Sequence, residues 1–90
     1  MTARLQCCVP FCRRTRAYDR PADAVEGARP TEWICGDHWL LVDKAKRRVW
    51  GRIRGRWRRF GPPAAANAIE DRLWARLKRE AIERAMGIAG

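Results

Sequence analysis

The chain has 90 residues, in which 20 Lys and Arg stand against 10 Asp and Glu, for a net charge of +10. A chain this short forms one small domain, and domains of this size commonly need a metal ion to supplement a limited core. No apolar stretch approaches the length of a membrane span, and the excess of positive charge predicts a polyanionic partner.

The cysteines and the single histidine predict a metal site. A C-x4-C … C-x2-H array is formed by Cys7, Cys12, Cys35 and His38. Three thiolates and one imidazole suit the tetrahedral coordination of one structural Zn²⁺, and two close pairs meet at small entropic cost. Cys8 offers a competing C-x3-C spacing with Cys12. We choose Cys7 as the ligand because the longer loop lets two sulfurs converge on one metal.

Two other interpretations of these residues stay open. Four cysteines in a small chain can form two disulfides, and His38 can be an ordinary polar residue on a helix. Against disulfides, the chain begins without an apolar leader, and the adjacent Cys7 and Cys8 give awkward disulfide geometry. A Cys-x-x-His pair suits a metal better. We therefore expect one structural zinc and a reducing, cytoplasmic environment.

The elements around these residues follow from local composition. Residues 7–12 are predicted to form a zinc knuckle, and residues 13–32, rich in Arg, Asp, Ala, Gly and Pro, an irregular or hairpin connection. Residues 33–35 are expected to form a short strand. Residues 36 and 37 then turn into a helix, where Asp37 complements the helix dipole. Cys35 and His38 would lie on either side of the helix start.

The runs Cys7–Arg14 and Glu32–Trp39 resemble those of treble-clef zinc fingers, in which a knuckle and the first turn of a helix each supply two ligands. The resemblance spans about residues 5–50 and implies a structural zinc site. The same runs are similar to small zinc-finger proteins of phages and prophages, a likeness that implies no activity.

Some treble clefs are nucleases that use further histidines and a nearby asparagine, and this chain does not have that set. His38 is already assigned to the structural metal, and Asn67 lies far along the chain. No glycine-rich phosphate loop or nucleophile elbow is present. We therefore expect no enzymatic activity and assign no catalytic residue.

The middle of the chain predicts a long basic helix. Residues 36–60 hold nine basic and two acidic residues. An apolar stripe at helical spacing is formed by Trp39, Val42, Val49, Trp50, Ile53, Trp57 and Phe60. We expect most tryptophans to be core residues and not stacking platforms. Gly51 and Gly55 could kink or end this helix, or allow a partner to approach closely.

A run of charged residues is usually a solvated helix face. Here only Asp37 and Asp43 balance the basic residues, and repulsion between like charges at these spacings weakens an isolated helix. A phosphate backbone would relieve the repulsion by counterion release, so we predict nucleic-acid contact, with DNA favoured over RNA. The predicted contact residues are Arg13, Arg14, Arg47, Arg48, Arg52, Arg54, Arg56, Arg58 and Arg59.

A second helix is expected after the Gly61–Pro63 break, from Ala64 to about Met86. Its apolar stripe consists of Ile69, Leu73, Leu77 and Ala81, with Trp74 alongside. The short connection favours an antiparallel partner that covers the tryptophans, and a dimer or partner-docking surface is the alternative. We divide the chain into residues 1–60, a zinc-finger module with the basic helix, and residues 61–90, the carboxy-terminal helix.

The predicted fold is therefore small, metal-stabilised and mainly α with a minor β component. Its function is predicted to be nucleic-acid binding by the basic helix, as a regulator or architectural factor. The alternative is a phage-type protein-interaction module that redirects a host protein through its aromatic and carboxy-terminal helical surface.

Overall fold

The computed structural model describes residues 4–17, 27–29 and 31–87. Its elements are β1 (Arg4–Gln6), β2 (Thr15–Ala17), α1 (Gly36–Trp39), α2 (Lys44–Phe60) and α3 (Ala66–Ala85). This part of the chain is mostly helical with one small hairpin, as predicted. None of the helices described here combines the length and the apolar character that a membrane span requires.

The hairpin carries the knuckle at its tip. Strands β1 and β2 pair antiparallel, with Arg4 opposite Ala17. Beyond the strands the Cys7 N–H donates to the Arg14 carbonyl at 2.9 Å, so the pairing continues to the edge of the knuckle. The strands therefore flank the knuckle, whereas the sequence placed any hairpin after it. Half of the predicted connection, residues 18–26 and 30, lies outside the described residues.

The predicted strand at residues 33–35 is wrong. Trp33 makes only isolated bridges, parallel to Cys7 and antiparallel to Ala28. The turn before it is closed by the Arg29 N–H, which donates to the Glu32 carbonyl at 2.7 Å. Gly27, which precedes this turn, must be glycine. Its φ is +74°, and an added Cβ would lie 3.1 Å from the Trp39 ring.

The predicted long basic helix is two helices. Helix α1 ends at Trp39, and the N–H groups of Leu41 and Val42 bond three residues back in a tighter turn. Asp43 then caps α2, since its carboxylate accepts from the Lys46 N–H at 3.4 Å. The hydrophobic periodicity does not reveal this break, because a buried Val42 fits one continuous helix as well as two helices with a turn between them. Helix α2 continues through both of its glycines, so neither ends it.

The end of α2 agrees with the prediction. Gly61 adopts a φ of +86°, and its N–H donates to the Trp57 carbonyl at 2.8 Å. This left-handed conformation favours glycine, and the two prolines that follow prevent further helix. Helix α3 starts at Ala66, two residues later than predicted.

Stacked tryptophans form the centre of the core. Trp74 of α3 lies between Trp39 of α1, at 6.3 Å between ring centroids, and Trp50 of α2, at 5.4 Å. All three rings are buried, and Leu77 and Ala81 extend the same face of α3. Helix α3 thus packs on both preceding helices. Four members of the predicted stripe do not join the core: Val49 is 43% exposed, Phe60 is 74% exposed, and Ile53 and Trp57 are half-buried outside it.

Candidate metal centre and basic helix

The structure brings the four predicted ligands together. The three Sγ atoms and a ring nitrogen of the histidine all lie within 4.8 Å of one another, and the set is Cys7, Cys12, Cys35 and His38. The first two flank the hairpin tip, the third immediately precedes α1, and the histidine is in its first turn. The hairpin and the helix start therefore each supply one pair.

Distances within the cluster fit one tetrahedral metal ion. The Sγ atoms of Cys12 and Cys35 are 3.9 Å apart, and His38 Nδ1 is 3.7 Å from Cys7 Sγ and 3.2 Å from Cys35 Sγ. A tetrahedral ion with bonds of about 2.3 Å to sulfur and about 2.0 Å to nitrogen separates its sulfurs by about 3.8 Å and sulfur from nitrogen by about 3.5 Å. The cluster can therefore hold a single metal ion with little rearrangement.

Hydrogen bonds around the cluster hold the two pairs in place. The Cys35 N–H donates to Cys7 Sγ at 3.3 Å, which links the helix start to the hairpin. Gln6 Nε2 donates to the Cys12 carbonyl at 2.9 Å, and Arg14 pairs with Asp37 at 2.7 Å. Such contacts orient ligands and stabilise thiolate charge.

Burial raises the pKa of the Cys7 thiol to about 11. At Cys12 burial also raises the pKa, but hydrogen bonds from the Arg14 backbone and the neighbouring thiols outweigh it and leave the pKa below its ordinary value. Without a metal, Cys7 therefore keeps its proton at neutral pH. A metal that binds here must displace that proton, as thiolate sites generally require.

Cys8 lies outside the cluster. Its Sγ donates to Glu32 Oε2 at 3.5 Å, and burial raises its pKa. The same carboxylate accepts from Trp74 Nε1 at 3.1 Å and from Lys78 Nζ at 2.6 Å. Cys8 is thus part of a polar network that ties the turn before α1 to α3.

Sequence reasoning missed Phe11. This residue sits at the tip of the knuckle, where the Cys12 N–H bonds to the Val9 carbonyl across a tight turn. Its φ is +70° and its side chain is 92% exposed. Glycine or asparagine normally occupies the third position of such a turn, after proline. The only sequence signal was the Pro-Phe pair between two metal ligands.

The predicted contact arginines fall into two groups. Arg47 and Arg54 are half-buried. Arg47 Nε donates to the Val42 carbonyl at 3.0 Å. Arg54 donates to the Ala28 carbonyl, and its guanidinium lies over the Trp50 ring, 5.1 Å from the ring centroid. The exposed members are Arg13, Arg14, Arg48, Arg52, Arg56, Arg58 and Arg59. Arg14 and Arg59 have neighbours of their own, in Asp37 and the Phe60 ring.

Three acidic side chains of α3 form ion pairs within the fold. Glu80 pairs with Lys46 at 3.0 Å and with Arg84 at 2.9 Å. Arg29 bridges Glu70 at 3.3 Å and Asp71 at 2.6 Å. Helix α2 itself contains no acid. Its exposed arginines therefore have no acidic side chain on their own helix.

No family model, curated protein or solved structure matches the chain. The treble-clef and phage resemblances stay predictions, and function must be argued from the residues themselves.

Proposed function

We propose that this chain is a small zinc-finger protein of treble-clef type, similar to those of phages, that binds the phosphate backbone of nucleic acid through α2. The carrying observation is the row of exposed cations on a helix that contains no acid. Zinc is the metal of choice because three thiolates and one imidazole form a soft, tetrahedral donor set without an open position. Its role is structural, and we propose no enzymatic activity.

Each part of the fold has a place in this proposal. The metal would fix the hairpin against α1, and α1 contacts α3 through Trp39 and Trp74. Helix α3 in turn supports α2, which presents Arg48, Arg52 and Arg56 to solvent. Arg54 has partners within the fold, so we leave it out of the contact surface. DNA is the favoured polyanion, and contacts confined to phosphates carry no sequence preference.

Fluorescence anisotropy of the zinc-loaded protein with labelled duplex DNA, single-stranded DNA and RNA, over a range of salt concentrations, tests the proposal. The slope of log affinity against log salt is expected to correspond to about five phosphates. Replacing Arg48, Arg52 and Arg56 by glutamine should lower that slope by about 2.7. No binding to any of the three nucleic acids would refute the proposal.

A matched control separates a contact surface from general charge. Arg72, Arg76 and Arg79 are exposed on α3, and their replacement by glutamine removes the same three charges. This variant should bind with a slope near that of the wild type. Equal losses in both triple variants would mean that net charge, and not the α2 surface, produces the binding.

A second candidate function is docking of an acidic protein partner. The observation that favours it is an apolar groove between α2 and α3, formed by Val49, Ile53, Ile69 and Leu73 with two arginines at its edge. Trp74 and Leu77, named with this surface from the sequence, are buried and belong to the core. The exposed positions Val49 and Ile69 therefore test it: their replacement by serine should remove partner binding and leave nucleic-acid binding intact.

A further inference from the structure

The exposed side of α2 contains a shallow depression near its amino-terminal end. Lys44, Arg47, Arg48, Gly51 and Arg52 line it, and its volume is about 430 Å³. The other four residues follow Lys44 by three, four, seven and eight positions, a spacing that places all five on one face of the helix. Four of the five are cationic and none is acidic. The depression is therefore suited to an anion.

One of its cations is held in place by the fold. Arg47 Nε donates to the Val42 carbonyl at 3.0 Å, in the turn that precedes α2. This bond fixes the guanidinium near the depression before any ligand arrives. An arginine that is already ordered loses less side-chain entropy when it binds phosphate.

The glycine in the depression has no structural explanation in the fold. Gly27 and Gly61 both need φ values that other residues rarely adopt. Gly51 is helical, and an added Cβ would meet no atom within 4 Å. Glycine in a helix interior costs about 1 kcal/mol relative to alanine. The fold would therefore tolerate a side chain at this position and gain stability from it.

We propose that this depression binds one phosphate group of a nucleic-acid backbone, with Gly51 as its floor. The missing side chain lets the phosphate approach the helix backbone, where the ammonium group of Lys44 and the guanidinium groups of Arg47, Arg48 and Arg52 surround its oxygens. This inference rests on the proposed function, since it locates one of the phosphate contacts on α2. In this proposal Gly51 favours phosphate binding, although glycine at this position lowers the stability of the helix.

Gly51→Ala and Gly51→Leu test the inference, with Gly55→Ala and Gly55→Leu as matched controls. Gly55 lies one turn later in the same helix, outside the depression, and a Cβ there would make an ordinary contact with Arg58 at 3.8 Å. All four variants should raise the melting temperature, because alanine and leucine favour the helix over glycine. Circular dichroism and thermal melts of the zinc-loaded proteins check this.

Binding should separate the two positions. We expect Gly51→Leu to weaken duplex DNA binding about three- to tenfold and to lower the log–log salt slope by about 0.9, the value for one lost phosphate. Gly51→Ala should have a smaller effect in the same direction. Both Gly55 variants should bind like the wild type.

The outcomes are distinguishable. If the wild-type protein binds no nucleic acid, the proposed function fails and this inference fails with it. If the wild type binds and the Gly51 variants keep its affinity and slope, the inference alone is overturned. Equal losses at Gly51 and Gly55 also overturn it, because the effect would then belong to the whole helix face.

Discussion

The hairpin with α1 and the pair formed by α2 and α3 are built in different ways. The first region surrounds three thiols and an imidazole, with Val9, Ile34 and Trp39 buried beside them. The second is held by the tilted Trp50 and Trp74 rings, 5.4 Å apart, and by the ion pair between Lys46 and Glu80. From this comparison we expect the stability of the first region to depend on metal binding and that of the second on aromatic packing. Trp39 of α1 joins them.

The largest expected effect comes from removing a metal ligand. Cys12→Ser should abolish binding of one metal ion and disorder the hairpin, because binding of a structural zinc can supply about 10 kcal/mol or more of folding free energy. Metal content by mass spectrometry and amide NMR spectra check the result. The control is Cys8→Ser, a thiol outside the cluster, which should keep one metal ion per chain. A Cys12→Ser protein that still binds metal tightly would contradict the assigned ligand set.

The core of the helix pair is tested at Trp74. Trp74→Ala removes the ring between Trp39 and Trp50 and should reduce the free energy of unfolding by about 3–5 kcal/mol. Chemical denaturation of the metal-loaded protein measures it. Ile69→Ala, at a position that is 40% exposed on the same helix, should cost less than about 1 kcal/mol. Similar losses at both positions would mean that α3 is not anchored by its tryptophan.

Glu32 connects the two regions, and its charge should matter in a pH-dependent way. Burial raises the pKa of Glu32, but the hydrogen bond and charge of Lys78 outweigh burial and leave that pKa below its usual 4.5. The resulting stabilisation is present above the unfolded-state pKa and is lost as pH falls through the lower folded-state value. Glu32→Gln should therefore cost about 1–2 kcal/mol at pH 7.

The stability difference between the wild type and Glu32→Gln should shrink below pH 4.5 in thermal melts at a series of pH values. Glu83→Gln removes one carboxylate charge from α3 and serves as the control. A constant difference across the series would show that the Glu32 charge does not contribute.

The smallest effect is expected at the knuckle tip. Phe11→Gly relieves a positive φ that costs about 1–2 kcal/mol, and the greater freedom of glycine in the unfolded chain offsets part of this gain. We expect a net stabilisation of about 0.5 kcal/mol in thermal melts. Phe11→Ala keeps the positive φ, so it should not stabilise the protein. If Phe11→Ala stabilises the protein as much as Phe11→Gly does, the stabilisation comes from removing the exposed ring and not from relieving the positive φ.

Sequence patterns predicted the parts that depend on local chemistry. The spacing of cysteines and histidine identified the four residues that the fold brings together, and the Gly-Pro-Pro run located the end of α2. Periodicity did not reveal the break before α2, because a buried Val42 fits a helix and a tight turn equally well. The half-buried positions of Arg47 and Arg54 depend on carbonyl groups of other segments, which no local pattern encodes. The same holds for the network at Glu32, whose partners are distant in sequence.

The pairing of acids within the fold would also affect how the protein meets the polyanion that we propose as its partner. Glu32, Glu70, Asp71 and Glu80 form ion pairs within the fold, and α2 contains no acid, so much of the surplus positive charge lies on α2. A molecule with charge distributed in this way experiences a torque in the field of a polyanion and turns that helix forward before contact. Encounter is then faster than random collision would allow, and the association rate falls as added salt screens the field.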